Sequence, residues 1–510
     1  MGERFRRLER GRAAEGVVAI LNLYADLLEA RLRDGRGGQP AILTDDDRCS
    51  YRALDARAAA WAACLHASGV RAGERVLIAL PDGVDLVAAL FGALRIGAIA
   101  ALANPRLPAG QLAGLVSYID AAVAVTAPDR AAECAHAGDR LRPTLAPADV
   151  RPGGEVPPAH RGSPGDDAVW QFTSGSSGEP KAVRHSHWSF ASAAEAWGRE
   201  VLGLTEHDVT IAVPRLFFGY AMGANLIFPF SVGASVVLFD ERPTAAAVAT
   251  RVVRHRATVL VTTPASVRQM TTAVEVLPAH LASLRVATSA GEALPASVAL
   301  AWSRRFRVPL IDGLGMTEMG HIVIGQRIGD AVPGSVGRPV PGYEVRLCDQ
   351  HGADVAGGEP GELWVRGPSR ALGYWQRPEA EARVFRGEWC VPGDMLRQLP
   401  DGRFEFCGRT DDLFKVNGQW VAPAAVEECL LTHPAVRECA VVGEPDDDGL
   451  IRPHAFVVAD QITGSLTSEL QAFVRERLAP HAHPRRVSYV DALPRTSTGK
   501  LDRAGLRALD

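Results

Sequence analysis

With 510 residues, of which 47% are hydrophobic and 22% charged, the chain has the length for about two to four globular domains with substantial cores. A formal net charge of -4 is small for that length and makes no electrostatic case for nucleic acid or an anionic membrane surface. The eight cysteines include no Cys-x-x-Cys pair, which argues against a zinc module or a redox motif and predicts free thiols in a reducing, cytoplasmic compartment.

At the N-terminus Arg4, Arg6, Arg7, Arg10 and Arg12 alternate with Glu3 and Glu9, and no apolar signal core follows, so a solvated leader is expected. The most apolar stretch, residues 76–103, is interrupted by Asp82, Asp85 and Arg95 and lacks the roughly 18 unbroken apolar residues of a membrane span. It predicts a buried strand followed by a helix. Runs rich in Val, Ile and Ala at 76–80, 122–126, 258–262 and 285–288 recur between amphipathic helical patterns, which predicts parallel sheets covered on both faces. Residues 138–166, rich in Pro and Gly, predict a long surface connection.

Residues 168–172 predict a short strand, and out of it runs Phe172-Thr-Ser-Gly-Ser-Ser-Gly-Glu-Pro-Lys181. Gly175 and Gly178 let the backbone N–H groups approach an anion, Thr173, Ser174, Ser176 and Ser177 add hydroxyl donors, and Lys181 adds positive charge. The competing reading is a plain Ser/Gly surface loop, against which the rigid strand upstream counts. The segment is not a Gly-x-x-x-x-Gly-Lys-Ser/Thr loop, because Pro180 precedes the lysine and Ala182 follows it; Gly499-Lys500 fails the same test.

From Gly334 onward short strands at 343–347, 361–366 and 403–406 predict a β-rich subdomain over about 334–410. A helix at 423–431 with a proline start, strands at 436–442 and 454–458 and a helix at 467–478 then predict a small α+β unit, with a boundary near 409–412.

Four further segments carry chemistry. Asp312-Gly-Leu-Gly-Met-Thr-Glu318 follows a strand expected at 308–311 and puts two glycines, a hydroxyl and a carboxylate in one turn. Trp389-Cys-Val-Pro-Gly-Asp394 ends in a carboxylate after a glycine. Residues 408–418 bring Arg409, Asp411, Asp412 and Lys415 to the domain boundary, and Pro494-Arg-Thr-Ser-Thr-Gly-Lys500 sets a lysine on a hydroxyl-rich loop. Each alone reads equally well as a solvated turn. Together, in this order and over essentially the whole chain, they resemble the acyl-adenylate-forming superfamily of acyl-CoA and aryl-CoA ligases, peptide-synthetase adenylation domains and beetle luciferases.

The resemblance implies an α/β protein: a large N-terminal domain (1–410) of packed mixed and parallel sheets with helices, and a small mobile C-terminal domain (411–510). It implies that residues 173–181 hold the β- and γ-phosphates of ATP, that Glu318 beside Thr317 ligates Mg²⁺, and that Gly291, Glu292 and Ala293 line the adenine with Asp312 nearby. Asp394 would take the ribose hydroxyls and Arg409 ribose or phosphate. Lys500 would neutralise the charge that develops as a carboxylate attacks the α-phosphate. Asp411 matches the hinge about which the C-terminal domain turns, bringing Lys415 and Gly418 in to guide the pantetheine arm of coenzyme A.

Residues 215–223, 317–322 and 415–423 resemble benzoate-CoA and 2-aminobenzoate-CoA ligases in particular. An aromatic acid then suits a slot walled by Phe218, Tyr220 and Ile322 and floored by Gly219, Gly313 and Gly315, with Met316 beside it and His321 toward the substrate carboxylate. Ala182, Arg215, Met316, Pro392 and Ala425 depart from the family pattern. The other readings are an enzyme that loads an aryl group onto a carrier protein's phosphopantetheine, and a nucleotide-binding sensor without turnover. The oligomeric state stays open, a homodimer included.

Overall fold

The computed structural model describes residues 22–134, 137, 141–151, 153–174, 179–416, 419–446, 449–495 and 501–507, so the expected leader lies outside the described residues. The apolar runs become parallel strands because both of their faces are covered. Arg75–Ala79 pairs in parallel with Ile99–Leu102 and Val123–Thr126, and the helix Val84–Arg95, buried from Leu86 to Leu94, makes one crossover. Asp167–Ser174 adds in parallel to Ile99–Leu102 and then doubles back as Pro180–Ser186, with Gly373–Tyr374 at the edge and Thr144–Leu145 closing the far side of this seven-stranded sheet. That last strand lies inside the connection expected over 138–166.

A second sheet of nine strands follows the same logic. Pro40–Leu43, Ser235–Val237, Val209–Ala212, Val259–Thr262, Val286–Ala290 and Leu310–Gly315 run parallel, and Ile322–Gly325 and Arg338–Pro339 turn back against the end. Two of its helices start on hydroxyl caps: Thr244 accepts from the Ala247 N–H ahead of Ala245–His255, and Thr263 does so from Ser266 ahead of Pro264–Thr272. A continuous core built on Trp61, Phe91, Phe190, Phe228 and Phe230 lies against both sheets. Residues 312–315, expected in a turn, instead extend the last parallel strand of this sheet, and the turn comes later as a single helical turn at Thr317–Met319.

Six strands between Glu344 and Arg409 form an antiparallel sheet of their own, and beyond Arg409 the chain enters new elements. The hairpin Phe414–Val416/Gln419–Val421, the helices Pro423–Leu431 and Leu466–Arg475 and the sheet Val436–Pro445, Ile451–Ala459, Arg486–Tyr489 have apolar clusters of their own, drawn wholly from residue 414 onward. All eight cysteines are free. Among the described residues no helix is long and apolar enough to cross a membrane.

One glycine decides how the first sheet's helices pack. A Cβ on Gly92 would lie 2.6 Å from Cβ of Trp61 and 2.9 Å from the Ala58 carbonyl oxygen, so Val84–Arg95 and Tyr51–Ala67 cross there backbone to backbone. Gly92→Ala should destabilise the protein by about 1–3 kcal/mol through overpacking, read as a lowered urea midpoint. An unchanged midpoint would mean that the two helices separate without cost.

Candidate active site

The two ends of the segment rich in Ser and Gly pair as antiparallel strands, with Thr173 opposite Lys181 and Ser174 opposite Pro180. Lys181 therefore sits on a strand and not on a loop; Gly175, Ser176, Ser177 and Gly178 lie outside the described residues. The next strand of the same sheet carries Tyr374, whose ring lies under the Lys181 ammonium, Nζ 5.0 Å from its centre. The Tyr374 hydroxyl donates to Oε1 of Glu318 at 2.6 Å. Burial next to that carboxylate pushes the phenol's pKa well up, so it remains a donor.

The turn that carries Thr317 and Glu318 is held on all sides. The Ala371 N–H donates to the Glu318 carbonyl at 2.9 Å and Ser369 Oγ to the Met319 carbonyl at 2.6 Å. His185 Nε2 donates to the Thr317 carbonyl at 2.8 Å; burial pushes this imidazole down to about 4, so it is neutral. Among the described residues no group of three or more His, Cys, Asp or Glu is placed to hold a metal ion. One oriented carboxylate near the Lys181 ammonium is a donor set that fits Mg²⁺ arriving with phosphates, since that ion keeps most of its shell from water and phosphate.

Asp394 and Arg409 face each other on neighbouring strands, Nη1 to Oδ1 at 2.9 Å, and Arg409 also donates to the Pro392 carbonyl at 2.8 Å. Pro392 thus keeps its acceptor although it has no N–H. Asp312 is buried in the middle of its strand, its backbone exchanging hydrogen bonds with Gln326, and Oδ1 is without a partner. Burial pushes this carboxyl well above the usual range. Gly291, φ +96°, ends the adjacent strand and starts the bend through Glu292 and Ala293. These residues fit a nucleoside, with an orphaned buried acceptor on one side and a carboxylate–guanidinium pair on the other.

Arg495 reaches Glu292 at 3.9 Å, and Arg495 and Leu501 bridge at the base of the loop that carries Lys500. Lys500 and Gly418 themselves lie outside the described residues. Lys415 is exposed on the hairpin strand and Asp411 lies in the turn after the six-stranded sheet.

The residues assigned to the aromatic slot come together from three elements. Tyr220 shares a hydrogen bond of 2.6 Å with the Thr288 hydroxyl, and its carbonyl accepts from His321 Nε2 at 3.2 Å. The His321 ring also packs edge-on to Phe228, and burial pushes its pKa down to about 3. A neutral imidazole is no cation for a carboxylate. Two glycines are already covered: a Cβ on Gly313 would meet the Ile322 side chain at 2.8 Å, and one on Gly315 the His321 carbonyl oxygen at 2.8 Å. The Phe218 ring lies tilted against Phe217, centroids 4.3 Å apart, and Met316 packs against the main core.

Two models of known families match, the AMP-binding enzyme over residues 29–375 and the AMP-binding enzyme C-terminal domain over residues 425–500. The chain belongs to the AMP-binding enzyme family. It is 38% identical to the benzoate–CoA ligase of Thauera aromatica, over 96% of both chains. The crystal structure of the anthranilate CoA ligase AuaEII in complex with anthranoyl-AMP superposes with a TM-score of 0.91 at 35% identity, over 95% of this chain and 96% of that one. A benzoate CoA ligase from Burkholderia xenovorans LB400 gives 0.88 at 36% identity, over 95% and 99%.

Tyr374 escapes a reading of the motifs because it stands in a two-residue strand without periodicity. Its signal is the glycine before it: Gly373 has φ +140°, and a Cβ there would lie 2.4 Å from Oε2 of Glu381, the atom that accepts the Tyr374 N–H. For this family member, Tyr374→Phe should slow ATP–pyrophosphate exchange about 10-fold and raise the Mg²⁺ concentration for half-maximal rate, with the KM of the acid little changed. An unaltered Mg²⁺ dependence would remove Tyr374 from the positioning of Glu318.

Proposed function

We propose that the chain is an ATP-dependent aryl-CoA ligase. A carboxylate oxygen of an aromatic acid attacks the α-phosphorus of ATP and pyrophosphate leaves; the thiol sulfur of coenzyme A then attacks the acyl carbon of the adenylate and AMP leaves. The observation that carries this reading is the convergence of Lys181, Tyr374 and Glu318 beside the slot formed by Tyr220, His321 and Ile322. Phosphate-binding charge, an oriented carboxylate and a flat apolar slot are what acyl-adenylate formation requires in one place.

In this reading the hairpin from Thr173 to Lys181 holds the β- and γ-phosphates, Asp394 takes the ribose hydroxyls and Asp312 faces the base. Glu318 would hold Mg²⁺, which would supply positive charge against the triphosphate. Lys500 acts on the α-phosphate. A turn about Asp411, between units 1–410 and 411–510, replaces Lys500 by Lys415 and Gly418 for the thioester step.

Pyrophosphate exchange across benzoate, 2-aminobenzoate, salicylate and a medium-chain fatty acid, followed by thioester formation with coenzyme A alone, tests the reading. An aryl acid should be used and coenzyme A should suffice. Preference for the fatty acid overturns the aryl assignment, and a need for carrier protein overturns the acceptor. Lys500→Ala should reduce adenylation by about 10²- to 10³-fold and spare thioester formation from supplied adenylate. Equal losses in both steps would contradict the role given to Lys500.

A further inference from the structure

Gln171 stands in the strand Asp167–Ser174, two residues before Thr173, with 1% of its surface exposed. Neither Nε2 nor Oε1 has a hydrogen-bond partner. Trp170 and Phe172, its strand neighbours, belong to the cluster that includes Trp375 and Ala182, so by alternation Gln171 points to the opposite face. There it meets Gly219: a Cβ on that glycine would lie 2.7 Å from Oε1 and 2.9 Å from Nε2. The amide occupies the floor of the slot that a side chain at 219 would otherwise fill.

Leucine or methionine would fill this space without the penalty of a buried amide that makes no hydrogen bond. A glutamine is accounted for if a ligand completes it. The next residue after Gly219 is Tyr220, whose carbonyl takes the Nε2–H of His321, leaving Nδ1 of that ring as an acceptor without a partner. Two side chains assigned to one slot therefore offer unused hydrogen-bonding atoms.

Resting on the aryl-CoA ligase reading, we propose that Gln171 reads a hydrogen-bonding substituent on the aromatic ring, so that the preferred acid is an amino- or hydroxybenzoate and not benzoate itself. An amide donates and accepts, as do an aromatic amine and a phenol, which is why both belong to the class.

The test is kcat/KM for benzoate, 2-aminobenzoate, 3-hydroxybenzoate and 4-hydroxybenzoate in the wild type, Gln171→Leu and Gln171→Met. The wild type should favour at least one substituted acid over benzoate by about 10- to 100-fold, and both variants should bring that ratio toward one. Where a variant loses turnover, the ratio of calorimetric Kd values decides. A wild type that prefers benzoate, or a ratio that survives in both variants, overturns the proposal while leaving the ligase reading intact. Use of the fatty acid in place of every benzoate overturns both.

Discussion

The hydrogen bond from Tyr374 to Glu318 crosses from the edge of the seven-stranded sheet to the turn that follows the last parallel strand of the nine-stranded one. Neither sheet alone brings the Lys181 ammonium to the Glu318 carboxylate. Lys181 and Tyr374 come from one sheet and Glu318 from the other, and what holds the two in register is a short stretch, 369–374, whose hydroxyl and N–H groups satisfy the carbonyls of the Thr317–Met319 turn. A buried phenol opposite a carboxylate is stable only while both remain paired, so loss of either partner leaves the other desolvated and unsatisfied.

The same seam explains Ala182, where the sequence departs from the pattern it otherwise resembles. Its methyl is fully buried in the cluster of Trp170 and Trp375, its carbonyl accepts the Trp375 N–H at 2.9 Å and its N–H donates to the Tyr118 hydroxyl at 3.3 Å. The residue after Lys181 thus anchors the strand that delivers Tyr374. Arg215 has a comparable office on the other sheet, where it donates to the carbonyls of Phe239, Asp240 and Glu241 close to the buried Asp82.

Much of the fold was legible because strands buried on both faces read as unbroken runs of Val, Ile and Ala, and those runs fell within a residue or two of Arg75–Ala79, Val123–Thr126 and Val259–Thr262. The helix Pro423–Leu431 was marked by its proline. What stayed hidden were contacts between distant segments. Tyr374 and Glu318 are 56 residues apart and no local pattern links them. Gln171 was visible as a polar residue inside an apolar run, but its significance depends on Gly219, 48 residues on, whose missing side chain looked like an open floor and proved to be the room an amide needs.

The interface between the two ends of the chain is built differently from either. The apolar clusters beyond residue 414 share no member with those before it. Contact across the boundary includes Glu428 accepting from the Ala296 N–H at 2.9 Å, Arg268 donating to the Arg437 carbonyl at 3.0 Å, and the half-exposed pair of Arg495 with Glu292. Exposed ion pairs of that kind contribute about 0–1 kcal/mol, and breaking them returns polar groups to water without uncovering a core. The proposed alternation of Lys500 with Lys415 would require such a contact surface. A hydrophobic interface would hold the chain in the state for one half-reaction, whereas a few polar contacts would let the proposed turn at Asp411 be driven by which phosphates and thiols are bound.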